Sequence, residues 1–130
     1  MKTSLILGFL VLFLPGIALA NCLNVGEGES GKDLVLRRGD LLTVTLPANP
    51  STGYSWNVAC TPRDLLKQLG AVRREEARHR HVMVGVGGVQ IWNFRAIERG
   101  KANLVFSYSR PWEHGVAPVR LIQWPVTISR

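Results

Sequence analysis

The residues best able to do chemistry in this 130-residue chain are few. Residues 26–32 read GEGESGK and fill the first seven positions of a phosphate-binding loop. The eighth position needs a Ser or Thr hydroxyl for Mg²⁺ but holds Asp33, and no strand, loop and helix unit surrounds it. Gly85, Val86, Gly87 and Gly88 begin like a dinucleotide fingerprint, yet Gln90 stands where the third glycine belongs and a strand pattern follows where a helix should start. His79 and His81 would share one face of a strand, but no third ligand lies near them, so a solvated basic strand is expected and no metal site. No Ser, His and acid grouping has nucleophile-elbow spacing, and HExxH is absent from the sequence. The expectation is a protein with neither catalysis nor cofactor.

Compartment follows from the first residues. Met1 and Lys2 precede an apolar run over residues 5–14 and then Ala18, Leu19 and Ala20, the pattern of a signal peptide (residues 1–20) with a small-x-small cleavage site. The run is too short to hold a bilayer securely and no second stretch of about 20 apolar residues follows, so no stable membrane insertion is expected once it is removed. Cys22 lies near the cleavage site, but a lipid-anchoring motif wants a small residue directly before its cysteine, where this chain has Asn21. An exported monomer, periplasmic or secreted, is expected, with one domain over residues 21–130. In an oxidising compartment Cys22 and Cys60 are expected to form a disulfide, which would contribute about 4 kcal/mol by closing a loop of about 40 residues.

Loss of Lys2 with the leader leaves 15 basic against 9 acidic residues, a net charge of +6. A basic domain leaves nucleic acid or anionic membrane surfaces open as partners. The arginines are spread over several segments without an RNA-binding aromatic signature, so no nucleic acid partner is expected.

The framework reads as strands. Residues 24–33 are Gly-rich and polar, a surface arm or loop. Two short strands flank Arg38, Gly39 and Asp40, the second with Leu42, Val44 and Leu46 on one face. Tyr54, Trp56 and Val58 alternate next. Residues 61–69 fit one helical turn or a short connection, and residues 71–84, rich in Arg, Glu and His, fit a charged helix or an exposed strand equally well. VQIWNFRAI puts Gln90, Trp92, Phe94 and Ala96 on one face; NLVFSYS does the same with Leu104, Phe106 and Tyr108. The last strand alternates Val119, Leu121 and Gln123 with Arg120, Ile122 and Trp124, and Pro125 within it argues for an edge or a bulge. Several short strands separated by turn signals indicate an all-β sandwich.

Three connections then stand out. Asn49, Pro50, Ser51, Thr52, Gly53 and Tyr54 join two strands with turn-forming residues and no charge. Gly85, Val86, Gly87 and Gly88 fit either a tight hairpin or a loop whose bare backbone lies against another protein. Arg110, Pro111 and Trp112 fit either a turn with a stray aromatic or a protein-binding anchor, because Trp and Arg dominate interface hot spots. A sandwich could gather all three at one end.

Taken together, NPSTGYSW, GVGG followed by Trp92 and Phe94, and RPW resemble, in that order, the pattern of chagasin-type inhibitors of papain-like cysteine peptidases. The resemblance covers the chain from about Leu34 onward. It implies an immunoglobulin-like β-sandwich with three binding loops at one end and reversible, non-covalent occlusion of a peptidase cleft. In that scheme residues 49–54 enter the cleft as a wedge with Thr52 near the catalytic Cys and His of the target, Gly85, Gly87 and Gly88 permit close backbone approach, and Trp112 packs near the catalytic His. The Cys22 and Cys60 pair and the basic run over residues 73–81 are not part of the family pattern. The rival expectation is an exported immunoglobulin-like adhesion or envelope module that binds an anionic polymer through its arginines.

Overall fold

The computed structural model describes residues 20–75 and 87–130. The expected leader (all but Ala20), His79, His81, Gly85 and Val86 lie outside the described residues.

Alternation decides the faces. Leu42, Val44 and Leu46 of β3 (Leu41–Ala48) are fully buried while their sequence neighbours are not, because successive side chains on a strand point to opposite sides of the sheet. The same rule buries Trp92, Phe94 and Ala96 of β7 (Gly88–Ala96), Leu104 and Phe106 of β8 (Gly100–Ser109), and Ile122, Trp124, Val126 and Ile128 of β9 (Arg120–Ser129). The other strands are β1 (Cys22–Gly26), β2 (Leu34–Arg37), β4 (Ser55–Thr61), β5 (Leu66–Gln68) and β6 (Arg73–Glu75). One sheet has the order β1-β3-β7-β5 with β6 also on β7; the other runs β2-β9-β8-β4. Their inner faces form one core, where Phe106 meets Trp92 edge-on at 4.9 Å and Trp124 at 5.6 Å. Rings in such T-shaped contact gain roughly 1 kcal/mol beyond their burial. The fold is the immunoglobulin-like sandwich expected of the sequence.

Four local expectations are corrected. Residues 24–33 are not a loose arm: Val25 of β1 pairs with Val44, and a 3-10 turn over Glu27–Glu29 is closed by the Gly26 N–H donating to Glu29 Oε2 at 2.7 Å. The buried Trp124 indole N–H donates to the Glu29 carbonyl at 2.8 Å, which ties that turn to β9 and explains its order. Residues 61–69 make no helical turn; Leu65 and Leu66 carry the chain across to the first sheet, where β5 pairs with β7. Pro125 lies in an inner strand, but β2 begins opposite Val126, so at residue 125 that side of β9 has no strand partner and a missing N–H costs no ladder bond there.

The fourth correction concerns the disulfide. Cys22 and Cys60 are free thiols. Cys22 is on β1, at one edge of its sheet; Cys60 is on β4, whose edge lies beside β5 and β6 because residues 62–65 connect the two directly. The cysteines therefore sit at opposite edges of the sandwich, beyond the reach of a disulfide, whose Cα atoms stand about 5.5 Å apart. Cys60 packs against the core, donates to the Pro62 carbonyl at 3.4 Å, and has its thiol pKa pushed up by burial.

Candidate functional site

Strand register brings the three loops to one end. In the first sheet Ala48, the last residue of β3, pairs with Gly88, the first of β7; in the second Ser55, the first of β4, pairs with Ser109, the last of β8. The connection over residues 49–54, the end of the glycine segment and the chain after β8 all leave the same rim.

The 49–54 connection is a compact turn that holds its own shape. Pro50–Thr52 form a 3-10 turn. The Asn49 side-chain oxygen accepts from the Ser51 N–H at 3.2 Å and from the Ser51 hydroxyl at 2.6 Å, while the Asn49 carbonyl accepts from the Thr52 hydroxyl at 2.8 Å and from its N–H at 3.3 Å. This is the local bonding for which Asn and Ser are favoured in turns. Gly53 has φ +79°, a left-handed conformation that glycine adopts without steric cost. Ser51 and Thr52 are exposed at the tip.

The RPW segment, which follows β8 beside β4, braces that turn. Arg110 Nε donates to the Thr52 carbonyl at 3.2 Å, its guanidinium lies 4.3 Å from the Tyr54 ring centroid, and it pairs with Glu113 at 3.2 Å. The Trp112 indole lies directly over Gly53 yet remains 63% exposed, so one part rests on the turn while the rest faces solvent. Beneath, Tyr108 stacks with Tyr54 at 5.3 Å and meets Trp56 in a tilted contact at 4.7 Å, and its hydroxyl accepts from the Asn49 N–H at 3.2 Å. The Trp56 indole N–H donates to the Pro47 carbonyl at 2.9 Å.

On the third side, a side chain at Gly87 would come within 3.1 Å of the Ala48 carbonyl oxygen and 3.5 Å of the Asn49 Cβ. The described part of the glycine segment thus lies against the base of the turn, at a spacing that a larger residue would strain. The tip itself is uncharged, and the guanidinium beneath it is turned inward toward Tyr54 and Glu113. Among the described residues no three His, Cys, Asp or Glu side chains gather where they could hold a metal ion. Residues 26–32 end a strand and form a closed turn with no helix to present N–H groups to phosphate.

Residues 35–126 match the model of the chagasin family of peptidase inhibitors, I42. The chain belongs to the chagasin family. Amoebiasin-2 of Entamoeba histolytica is 30% identical over 102 residues, 78% of this chain and 81% of that one. Chagasin of Trypanosoma cruzi is 25% identical over 89 residues, 68% of this chain and 81% of its own. Among solved structures, the cysteine protease inhibitor EhICP2 of Entamoeba histolytica superposes with a TM-score of 0.76 at 29% identity, covering 85% of this chain and 97% of that one. Membership of the chagasin family makes this chain an inhibitor and not an enzyme.

Within this chagasin-family domain, sequence reasoning missed Tyr108, Trp56 and Glu113 as supports of the loops. Tyr108 and Trp56 were legible as strand residues next to the motifs, and Glu113 as an acid three residues after Arg110. It also missed Val116, Val119 and Leu121, exposed apolar residues that follow Trp112. Three such residues in the ten that follow a loop tryptophan were a signal open to inspection.

Proposed function

We propose that this chagasin-family protein is exported, loses residues 1–20, and acts as a monomeric, reversible, tight-binding inhibitor of papain-family cysteine peptidases. Residues 49–54 form the wedge that enters the active-site cleft, with residues 85–88 and 110–112 on its flanks. The observation that carries this reading is the bracing of an uncharged, exposed tip by Arg110 and Trp112 from the neighbouring loop after β8.

A braced 3-10 turn suits occlusion for two physical reasons. Little ordering entropy remains to be lost on docking, so more of the contact energy appears as affinity. A peptidase also needs its substrate extended, and a turn held by the Asn49 carbonyl and carboxamide resists that shape. Thr52 blocks the cleft without offering a scissile bond in a cleavable geometry, and the exposed face of Trp112 packs beside it. The interface is of ordinary size, roughly 800 Å² on each partner.

The test is titration of active papain with the domain from Asn21 onward, following hydrolysis of a fluorogenic peptide. Reversible, tight inhibition with the inhibitor recovered uncut is expected, and Thr52→Arg and Trp112→Ala should each weaken it by at least about tenfold, the scale of an interface hot spot. Absence of inhibition at micromolar protein, or full potency in both variants, overturns the reading.

A further inference from the structure

Among the described residues, most cationic side chains gather at the end opposite the loops. Arg37 and Arg38 end β2 and open the turn to β3, Arg63 and Lys67 lie on the crossing to β5 and on β5 itself, and all four are exposed. Arg95, Arg99 and Lys101 surround the β7 to β8 turn, with Arg130 beside them after β9. Register fixes this common end, since Arg37 pairs with Ser129, Gly100 with Ile128, and Leu41 with Arg95.

These are eight of the 13 cationic side chains among the described residues, against Asp40, Asp64 and Glu98 among the eight acidic ones, so the described residues place a charge of +5 at this end. Asp40 is buried and takes N–H groups from Asn21 and Arg37. Among the described residues, ion pairs form only between Arg110 and Glu113 and between Arg120 and Glu27, so none of the eight is neutralised by one.

Two details go beyond net charge. Lys67 and Arg95 stand directly opposite each other in the β5 and β7 ladder, both exposed, an arrangement that repels unless an anion lies between them. Arg99, Lys101 and Arg130 also line an open groove of about 430 Å³, together with Thr127 and Ser129. Guanidinium groups match carboxylate, sulfate and phosphate with paired hydrogen bonds.

The geometry points to a second binding surface at this pole, for an anionic polysaccharide, that acts independently of the inhibitory loops. β8 runs from one end to the other and its ten residues separate the two surfaces by about 30 Å. The protein can therefore hold a peptidase at one end while the other is tethered to a charged matrix. A bilayer fits less well, because Trp112, Val116 and Val119, which could insert, lie toward the loop end, while the arginine-rich end has only Val35 nearby among the large exposed apolar residues described. Among the described residues no aromatic side chain is presented there for stacking on bases.

The experiment is salt elution of the domain from immobilised heparin and from polygalacturonate, with duplex DNA and phosphatidylglycerol vesicles as competitors. The wild-type protein should be held at low salt and released steeply as salt rises, as expected for displacement of counterions by several cations. Arg37→Gln with Arg38→Gln should lower the affinity at least about tenfold, whereas Arg73→Gln with Arg74→Gln, an equal loss of charge on β6, should change it little. Equal loss in both pairs would mean that net charge alone is at work and would overturn the proposal. Stronger competition by DNA or vesicles than by free polygalacturonate would overturn the choice of partner. The pole variant must still inhibit papain, and Thr52→Arg must still bind heparin, so failure of this inference is distinguishable from failure of the inhibitory reading.

Discussion

The indole of Trp112 occupies the space that any side chain at residue 53 would need: a Cβ on Gly53 would lie 2.2 Å from Trp112 Cη2. One residue of the 49–54 turn and one of the RPW segment thus fit only because the first has no side chain. Gly53→Ala meets both that clash and a left-handed backbone costing roughly 1–2 kcal/mol for an L-residue. Papain inhibition by this variant should weaken at least about tenfold, and its melting temperature should fall by several degrees, the equivalent of that strain in a domain of this size. Unchanged inhibition would mean that Trp112 can swing away without consequence.

Arg110 joins the two loops through a planar group that both donates to the Thr52 carbonyl and lies over Tyr54. Lysine keeps the charge but loses the plane and the fork of donors. Arg110→Lys should therefore weaken inhibition by about five- to tenfold in the same titration. Glu113→Gln should cost little, since its partly exposed ion pair is worth under about 1 kcal/mol.

Both cysteines should react with an alkylating agent in the folded, unreduced protein, as read by mass spectrometry. Cys22 is exposed and should label faster than Cys60, whose thiol is half-buried and held toward its neutral form. Because burial raises the Cys60 pKa in the fold, any stability it contributes is present below the unfolded thiol pKa of about 8.5 and is lost as pH rises through the folded value. A mass lower by two protons, with no labelling, would show a bridge and demand a rearranged β1.

Asn21 donates its backbone N–H to the carboxylate of buried Asp40 at 3.1 Å, and its carbonyl accepts from the Leu41 N–H at 2.8 Å. If the leader is cut after Ala20, that nitrogen becomes an ammonium against a carboxylate, and the bond becomes charge-assisted. The form starting at Asn21 should melt a few degrees above one that carries extra residues before it, from a gain of about 1 kcal/mol. Asp40→Asn should remove the difference, which calorimetry of the four proteins would measure.

Period-two alternation in LLTVTLP, VQIWNFRAI and NLVFSYS determined the strands and the core without reference to any partner, because a strand has only two faces and burial selects one. The turn residues Asn49, Pro50, Ser51 and Gly53 likewise carry their conformation locally, in short-range hydrogen bonds and one left-handed φ, so the 49–54 connection was legible as a turn. Pairing was not. Which strand lies beside which is settled by contacts between residues far apart in sequence, and the placement of Cys22 and Cys60 at opposite edges, of Pro125 where β9 has β8 on one side and no strand on the other, and of Glu29 over Trp124 depends on it. Arginines scattered along the sequence became a single charged pole for the same reason: strand ends from both sheets converge there, and only the folded register brings Arg37, Arg99 and Arg130 together while turning Arg110 inward at the other end.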